Sequence, residues 1–294
     1  MTSQDNSSKM NETIRLLHER ASLRSYDDRA IEPEVMSAIL EAGMHAPTGG
    51  NLQPYSIIQI NKPETLEKLG EMCEQKFIGT APVNLVFCLD LRRNRRLAEI
   101  GVAPYTAQHS FRHFWVAFQD TLIAAQNICT AADALGLGSC YVATILEHIE
   151  EICRMCRLPE GVFPIVLLTL GYPKTKPTIR KKFSTDIMVH KETYKDIPDD
   201  VLYSAYIERE DNKQLILNED RLEKIKRVCQ RTHGEDYAEK CEEAIKKAGY
   251  INPVQNRFGL HYKADEMPQG NLDFLAQLEN QGFDWFKEWV PRSD

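Results

Sequence analysis

The chain has 294 residues, of which 43% are hydrophobic and 27% are charged. This composition supports a large folded core and excludes disorder over most of the length. The net charge of −7 argues against general nucleic-acid binding, which usually goes with a basic surplus. No apolar segment approaches the roughly 18 uncharged residues that a membrane-spanning helix needs, and the first residues lack the hydrophobic core of a secretion signal. We therefore expect a cytoplasmic protein that binds neither membranes nor nucleic acid.

The eight cysteines are scattered through apolar stretches. This distribution favours buried thiols in a reducing compartment over a disulfide framework. Cys153 and Cys156 have the C-x-x-C spacing of redox motifs, but the surrounding sequence EEICRMCRLPEG predicts a helix that no strand precedes. We therefore favour packed thiols at this motif, and the lack of a second ligand pair argues against a zinc site.

The first third of the chain alternates apolar segments of helical periodicity with short β-branched or aromatic runs. The predicted elements in chain order are a helix at 12–19, a helix that begins near Pro33, a strand at 55–60, a helix at 64–76, a strand at 84–91 and an irregular basic stretch at 92–110. Residues 1–11 are expected to form a disordered tail.

Residues 114–135 predict a long helix that is apolar nearly all round, which places it in the core or in an interface. The predicted elements that follow it are a strand at 139–144, a helix at 146–156 and a strand at 163–172. This alternation predicts an α/β or α+β domain. We place this core at 12–199 and a helical C-terminal extension at 200–294.

Two segments near the N-terminus carry groups that suit an anionic, planar ligand. Arg20, Ser22 and Arg24 form an R-x-S-x-R pattern, and its two guanidinium groups favour charge-assisted contacts to a phosphate. The sequence APTGGNLQP at 46–54 offers two glycines for close backbone approach together with polar side chains. Taken singly, these segments are better explained as a solvated face and as a helix-to-strand turn.

Two later segments add backbone and cationic groups. In GLGSCYVAT, the backbone N–H groups around Ala143 and Thr144 lie near a predicted helix start, where an anion would be favoured. This segment is not a dinucleotide fingerprint, because its glycine spacing fails and it follows a helix. The last strand ends at Gly171 and leads into a basic loop that includes Lys182, which serves equally well as a solubilising loop.

Together, and in this order, the four segments resemble the FMN-dependent nitroreductase family. The matching patterns are R-x-S-x-R, A-P-T-G-G-N-x-Q-P, A-x-x-L-G-L-G-S, and L-G-Y-P followed by a basic loop. The resemblance covers roughly residues 12–195, and features beyond it are similar to the larger oxygen-insensitive nitroreductase and flavin reductase branch. A segment at about 212–263 has no counterpart in that pattern and is interpreted as an insertion.

The resemblance implies an α+β nitroreductase-like fold, with a central, mostly antiparallel sheet flanked by helices, in a domain-intertwined homodimer. It implies that Arg20, Ser22 and Lys182 hold the FMN phosphate, and that Arg24 lies beside the pyrimidine end of the flavin. Other residues are implied to contact the flavin from a loop of the partner subunit, at the far edge of the ring, or near N5. The remaining residues of the expected cofactor site are Pro47, Thr48, Gly49, Asn51, Gln53, Gln75, Val142, Ala143, Thr144 and Gly171.

The implied activity is reduction of nitroaromatics, quinones or related small-molecule acceptors by NAD(P)H, in two alternating half-reactions through flavin N5. No side-chain nucleophile, base or metal is needed, because the cofactor carries the chemistry. Departures such as Leu146, where the nitroreductase branch has an arginine, leave the substrate and the choice of NADH or NADPH open. Two rival interpretations are a flavin reductase that passes reduced flavin to a partner and a flavin-binding module without turnover.

Four arginines follow the strand at 84–91, namely Arg92, Arg93, Arg95 and Arg96. We favour a solvated basic loop for this segment. The alternative is that these guanidinium groups hold the 2′-phosphate of NADPH, since the arginine fork matches phosphate geometry.

Overall fold

The computed structural model describes residues 11–291 and divides into two compact units. Within this range, the first unit comprises residues up to Ile179 and those from Asp273 onward, and the second unit is Arg180–Leu272. Apart from Asn11, the expected N-terminal tail lies outside the described residues. None of the helices between residues 11 and 291 is long and apolar enough to cross a membrane.

The first unit contains a sheet and the helices that cover it. Its helices are α1 (Glu12–Glu19), α2 (Pro33–Met44), α3 (Pro63–Met72), α4 (Lys76–Thr80), α5 (Arg92–Ile100), α6 (Phe111–Ala134) and α7 (Ile149–Cys156). Its strands are β1 (Tyr55–Ile60), β2 (Val83–Asp90), β3 (Gly138–Val142) and β4 (Val162–Gly171). The positions of these strands and of α1, α2 and α6 confirm the corresponding sequence predictions to within a few residues.

The four strands form one antiparallel sheet in the order β1-β2-β4-β3. Strands β2 and β4 are buried along their whole length, because they occupy the centre of the sheet with helices packed over them. This position explains why both strands are continuous apolar runs rather than alternating patterns. The prediction of a central antiparallel sheet flanked by helices is confirmed.

Helix α6 is the longest helix of the first unit and packs on the sheet and on α2. It begins where the Ser110 side chain accepts a hydrogen bond from the His113 N–H, and it ends before Gly136, which has a φ of 78°. Its core face is fully buried. Another face leaves Phe111, Trp115 and Ile123 between 41% and 51% exposed, so apolar surface remains uncovered within one chain.

The prediction of an irregular stretch at 92–110 is wrong, because its first half is the regular helix α5. The Arg93 N–H donates to the Asp90 carboxylate at 3.0 Å, which satisfies a backbone group in the first turn of α5. Arginine, leucine and alanine are also good helix formers. The capping carboxylate belongs to β2, so the sequence pattern assigned it to the strand. Similarly, the helix predicted at 64–76 ends at Met72, and α4 begins at Lys76.

The second unit is mostly helical. Its elements are α8 (Thr185–Met188), α9 (Asp199–Arg209), β5 (Leu215–Ile216), α10 (Glu219–His233), α11 (Glu235–Ala248), β6 (Tyr250–Ile251) and α12 (Pro253–Asn256). Helices α10 and α11 pack together and bury Ile225, Ile245 and Ile251 in a core of their own. The segment at about 212–263, which is interpreted from the sequence as an insertion, therefore contributes to a core of its own within the second unit.

The final helix, α13 (Asn271–Asn280), carries the chain back into the first unit. The rings of Phe274 and Phe283 pack edge-on against Phe163 of β4, with centroids 5.8 and 6.1 Å away. The sequence predicts a division of the chain at 199/200. In the structure, residues from Asp273 onward pack with the sheet of the first unit. The aromatic spacing of the tail does not reveal which unit its rings contact.

Candidate functional site

The segment Arg20–Tyr26 runs beside β3, which is one of the two edge strands of the sheet. The Leu23 N–H donates to the Ser139 carbonyl at 2.9 Å, and Ser22 pairs with Ser139 in a parallel bridge. Gly138 allows this approach, since a Cβ at that position would lie 2.6 Å from Leu23 Cδ2. This pairing holds Arg20, Ser22 and Arg24 along the β3 edge of the sheet.

The Arg20 side chain is half-buried and only partly satisfied by the protein. Its Nη1 donates to Ser22 Oγ at 3.3 Å, and its guanidinium carbon lies 5.9 Å from the centre of the Tyr141 ring. The Nε and Nη2 atoms are buried, and neither has a hydrogen-bond partner among the described residues. Buried donors without partners are costly. The geometry therefore fits an anionic group such as the FMN phosphate, which would accept from both atoms.

The groups around Arg20 keep its guanidinium protonated. Burial by itself lowers the pKa of Arg20, but the neighbouring Cys129, Asp133 and Tyr141 together raise it, so the guanidinium stays protonated. Burial also raises the pKa of Asp133 to about 6, against the opposing effect of Arg20. No hydrogen bond joins the Asp133 and Arg20 side chains among the described residues, so Nε and Nη2 of Arg20 remain available for an external anion.

Further predicted residues gather at the end of β3. Gln75, at the start of α4, donates from Nε2 to Thr144 Oγ1 at 2.7 Å. The Arg24 guanidinium carbon lies 5.7 Å from the centre of the ring of Phe77, the second residue of α4. Val142 is buried at the end of β3, and the next residue, Ala143, is exposed. The structure thus brings together the predicted residues of the N-terminal segment, of α4 and of the β3 end.

The loop at 47–53 forms a tight turn held against α6. Gly50, Asn51 and Gln53 all have positive φ values, between 46° and 60°. The Gly49 N–H donates to both carboxylate oxygens of Asp120, at 3.0 and 3.2 Å. The Thr48 hydroxyl accepts from the Gln53 N–H at 3.2 Å. These bonds explain why the turn keeps a defined shape although much of it is exposed.

Within one chain, this loop and Arg20 lie at different levels of α6. The loop is bound to Asp120, whereas Arg20 lies beside Cys129 and Asp133. An α-helix rises 1.5 Å per residue, so Asp120 and Cys129 are separated by about 14 Å along the axis. The structure therefore does not bring the loop residues Pro47, Thr48, Gly49, Asn51 and Gln53 to Arg20 in a single chain.

Gly171 and Lys182 are the remaining predicted residues. A Cβ on Gly171 would lie 2.7 Å from both Pro82 and Tyr26, so close packing accounts for the glycine without a ligand. Lys182 belongs to the second unit and is exposed, and its role in phosphate binding stays a prediction.

Sequence reasoning missed Asp120, Asp133 and Tyr141. The two aspartates are the acidic residues of α6, which is mostly apolar, and a carboxylate in a largely buried helix needs a partner. That signal could have drawn attention to both residues, but it does not say that one binds a loop and the other lies beside Arg20. Tyr141 carries no such signal, because its position follows from the pairing of β3 with the N-terminal segment.

The C-x-x-C motif lies on α7, and burial raises the pKa of both Cys153 and Cys156 to about 11. Such thiols stay protonated near neutral pH, whereas redox-active pairs have lowered pKa values. This result supports packed thiols. The eight cysteines are all within the described residues, and all are free.

Comparison with known proteins places this geometry in a family. Residues 17–172 match the family model described as "Nitroreductase family". The chain belongs to the nitroreductase family. The FMN reductase (NADPH) of Bacillus subtilis is 29% identical over 193 residues, which cover 65% of this chain and 78% of that protein. The oxygen-insensitive NADPH nitroreductase of Salmonella typhimurium is 30% identical over 204 residues, covering 68% and 81%.

The fold agrees with this membership. The solved structure of NfrA2 from B. megaterium is 26% identical, with a TM-score of 0.71 over 95% of this chain and 100% of that chain. The predictions of family and fold are therefore confirmed. The matched residues 17–172 include every predicted site residue except Lys182.

Proposed function

We propose that this nitroreductase-family chain is an FMN-dependent NAD(P)H oxidoreductase that reduces nitroaromatics, quinones or related small-molecule acceptors. The observation that carries the proposal is the pair of buried, partnerless donors on Arg20, placed beside the Ser22 hydroxyl in the family's matched region. Relatives named as an FMN reductase (NADPH) and as an oxygen-insensitive NADPH nitroreductase support the same activity.

Arg20 and Ser22 would bind the FMN phosphate from the edge of β3, and Lys182 would add a second cation. A phosphate monoester carries about −1.5 to −2 charges near neutral pH, so more than one cation is favoured. Asp133 lies close enough to raise the pKa of Arg20, but it makes no hydrogen bond with it among the described residues, so Nε and Nη2 stay available to the phosphate. These residues hold the cofactor without taking part in bond changes.

When bound, FMN supplies two-electron transfer between NAD(P)H and the acceptor. Arg24 is exposed over the Phe77 ring, where its fixed positive charge would stabilise negative charge that develops at the pyrimidine end of the ring. The hydrogen bond from Gln75 to Thr144 fixes two polar side chains beside the β3 end. The exposed Ala143 backbone lies next to them, in the position that the resemblance assigns to N5.

The functional form would be a homodimer in which the 47–53 loop of each chain completes the site of its partner. Two observations support this arrangement. The loop is held about 14 Å along α6 from the Arg20 level, and α6 leaves the apolar residues Phe111, Trp115 and Ile123 exposed. A partner that covers this face would bring its own loop with it. A cytoplasmic location is consistent with the free cysteines.

The test is the absorption spectrum of the purified protein, before and after reductant is added without oxygen. We expect the purified protein to show flavin absorption bands and the flavin released by heating to be FMN. NADPH or NADH should bleach these bands. Addition of a nitroaromatic or a quinone should then restore the bands. A protein that fails to acquire flavin bands when FMN is supplied contradicts the proposal. A coloured protein that neither nucleotide bleaches would be a flavin-binding module.

The names of several relatives favour a second candidate, a flavin reductase that releases reduced flavin. Rapid ultrafiltration after reduction separates the two functions. Reduced FMN in the filtrate at the rate of NADPH oxidation indicates a flavin reductase, whereas flavin retained by the protein through many cycles of nitroaromatic reduction indicates a nitroreductase.

A further inference from the structure

A cavity of about 470 Å³ lies between α5 and the turn that ends α7. Its lining includes Arg92, Arg93 and Arg96 from α5 and Arg157 from the α7 turn. We call these residues and the space between them the arginine cleft. Its volume lies within the range of about 300–1,000 Å³ that small-molecule sites occupy.

The cleft is positively charged in an acidic protein. Asp90 is the carboxylate in its lining, and it is paired with Arg93 at 3.2 Å. Four guanidinium groups against one carboxylate leave a local surplus of positive charge, although the whole chain has a net charge of −7. Such a contrast attracts anions to one place on the surface.

The four arginines fall into two groups. Arg93 is occupied by the protein, since it also donates to Ser56 Oγ at 2.6 Å and to the Gln53 carbonyl at 3.2 Å. Arg92 donates to the Glu160 carbonyl at 3.5 Å. Between residues 11 and 291, the side chains of Arg96 and Arg157 have no hydrogen-bond or ion-pair partner. These two are therefore free to bind a ligand.

Apolar side chains complete the walls of the arginine cleft. Leu97 and Ile100 of α5 are 60% and 76% exposed and line one side of the cleft. Leu158 and Val162 line the opposite side. Apolar walls beside free guanidinium groups suit a ligand with a planar, apolar body and an anionic head, because each part meets its own kind of surface.

The arginine cleft is separate from the Arg20 site within the chain. Ser56 and Ile58 of β1 line the cleft, whereas Arg20 and Ser22 lie beside β3, at the other edge of the sheet. Three strand spacings separate these edges, which is about 14 Å.

We propose that the arginine cleft binds a small organic oxyanion with a planar apolar body, in which Arg96 and Arg157 hold the anionic head. The head is a carboxylate or a phosphate monoester, since both match the arginine fork. Leu97 and Ile100 cover the body. This site is distinct from the Arg20 phosphate site of the same chain, although Arg93 in its lining also donates to the Gln53 carbonyl of the 47–53 loop.

Isothermal titration calorimetry of the protein as purified tests the proposal by measuring the Kd of two probes. These are 2-naphthoate, for a carboxylate head, and 2′-AMP, for a phosphate head. The variants are Arg96→Gln, Arg157→Gln and their combination. Arg154→Gln is the matched control, because Arg154 is an exposed arginine of α7, three residues before Arg157, and does not line the cleft. The neutral 2-naphthamide is the matched control for charge.

We expect at least one probe to bind, and each single variant to weaken it roughly five- to tenfold, as for one partly exposed charge-assisted contact. The double variant should abolish measurable binding, and Arg154→Gln should leave it unchanged. The probe that binds identifies the head group. Failure of both probes to bind overturns the proposal. Binding that both variants leave unchanged, or that 2-naphthamide reproduces, overturns it equally.

Discussion

Replacing Arg20 with glutamine tests the cofactor site most directly, because it removes the charge and the two donors that lack partners in the chain. A hydrogen bond to a charged group contributes about 1.5–3 kcal/mol, and neighbouring contacts do not add fully. For Nε and Nη2 together we expect a loss of about 2–4 kcal/mol, which weakens FMN binding roughly 30- to 1,000-fold.

The same substitution has a second consequence that a purely structural role would not produce. Without FMN, glutamine removes two buried donors that have no partner, so the apo protein should unfold at the same temperature as the wild type or higher. With FMN, the variant should gain less stabilisation, because ligand stabilisation depends on the ratio of ligand concentration to Kd. The stability difference between the two proteins therefore reverses when FMN is added.

Fluorescence titration of the apo protein with FMN measures the affinity, and thermal unfolding with and without FMN measures the reversal. Arg15→Gln is the control, since Arg15 is an exposed arginine on α1 whose ion pairs are with Glu12 and Glu19. An FMN affinity of Arg20→Gln within threefold of the wild type would show that the phosphate binds elsewhere. An apo variant much less stable than the wild type would show that Arg20 is structural.

Three further predictions concern the rest of the proposed assembly. Lys182→Ala should weaken FMN binding by about tenfold, less than the Arg20 variant in the same titration, and an unchanged affinity would remove Lys182 from the site. Ile123→Glu, on the exposed apolar face of α6, should convert a dimer into inactive monomers by light scattering, whereas a wild-type protein that is an active monomer contradicts the shared site. Asp133→Asn should stabilise the apo protein more at pH 7.5 than at pH 4: burial raises the pKa of Asp133 from 3.8 to about 6, so the wild type loses stability as the pH rises through that window. Equal effects of this variant at both pH values would contradict the buried-carboxylate interpretation.

The core of the fold was predictable because its elements depend on strong local patterns. Strands β2 and β4 are uninterrupted apolar runs of strand length, and α6 is a long apolar segment with a glycine after its last turn. Burial on both sides of a central strand and around a central helix leaves few polar positions, so the pattern identifies both the element and its place.

Helix α5 was not predictable in the same way. Its sequence RRNRRLAEI is almost all polar, and its two large apolar residues, Leu97 and Ile100, remain exposed. Periodicity reports which face is buried, and α5 buries little. Its start depends on the Asp90 carboxylate, which the pattern assigns to β2. Charged segments with an external cap are therefore easily mistaken for loops.

The candidate site divides between what a motif can reveal and what only tertiary structure reveals. The spacing of Arg20, Ser22 and Arg24 is local, and a resemblance to a family is enough to select it. The orphaned donors of Arg20 are a different kind of fact, because they depend on burial by α6 and β3, more than a hundred residues along the chain. Tyr141 lies beside Arg20 only because Ser22 pairs with Ser139, which is two residues before Tyr141 in β3.

Helix α6 separates the two parts of the proposed site within one chain, which favours a site shared between two chains. It holds the 47–53 loop at Asp120 and the proposed phosphate-binding residue Arg20 near Cys129, and a regular helix fixes the distance between these two levels at about 14 Å along its axis. A loop that is hydrogen-bonded to the helix cannot close this gap without breaking its bonds to Asp120. A second copy that packs on the exposed apolar face of α6 avoids that cost, because each loop then needs only to reach across the interface. The rigidity of α6 is thus the physical reason to expect that neither chain forms a complete site alone.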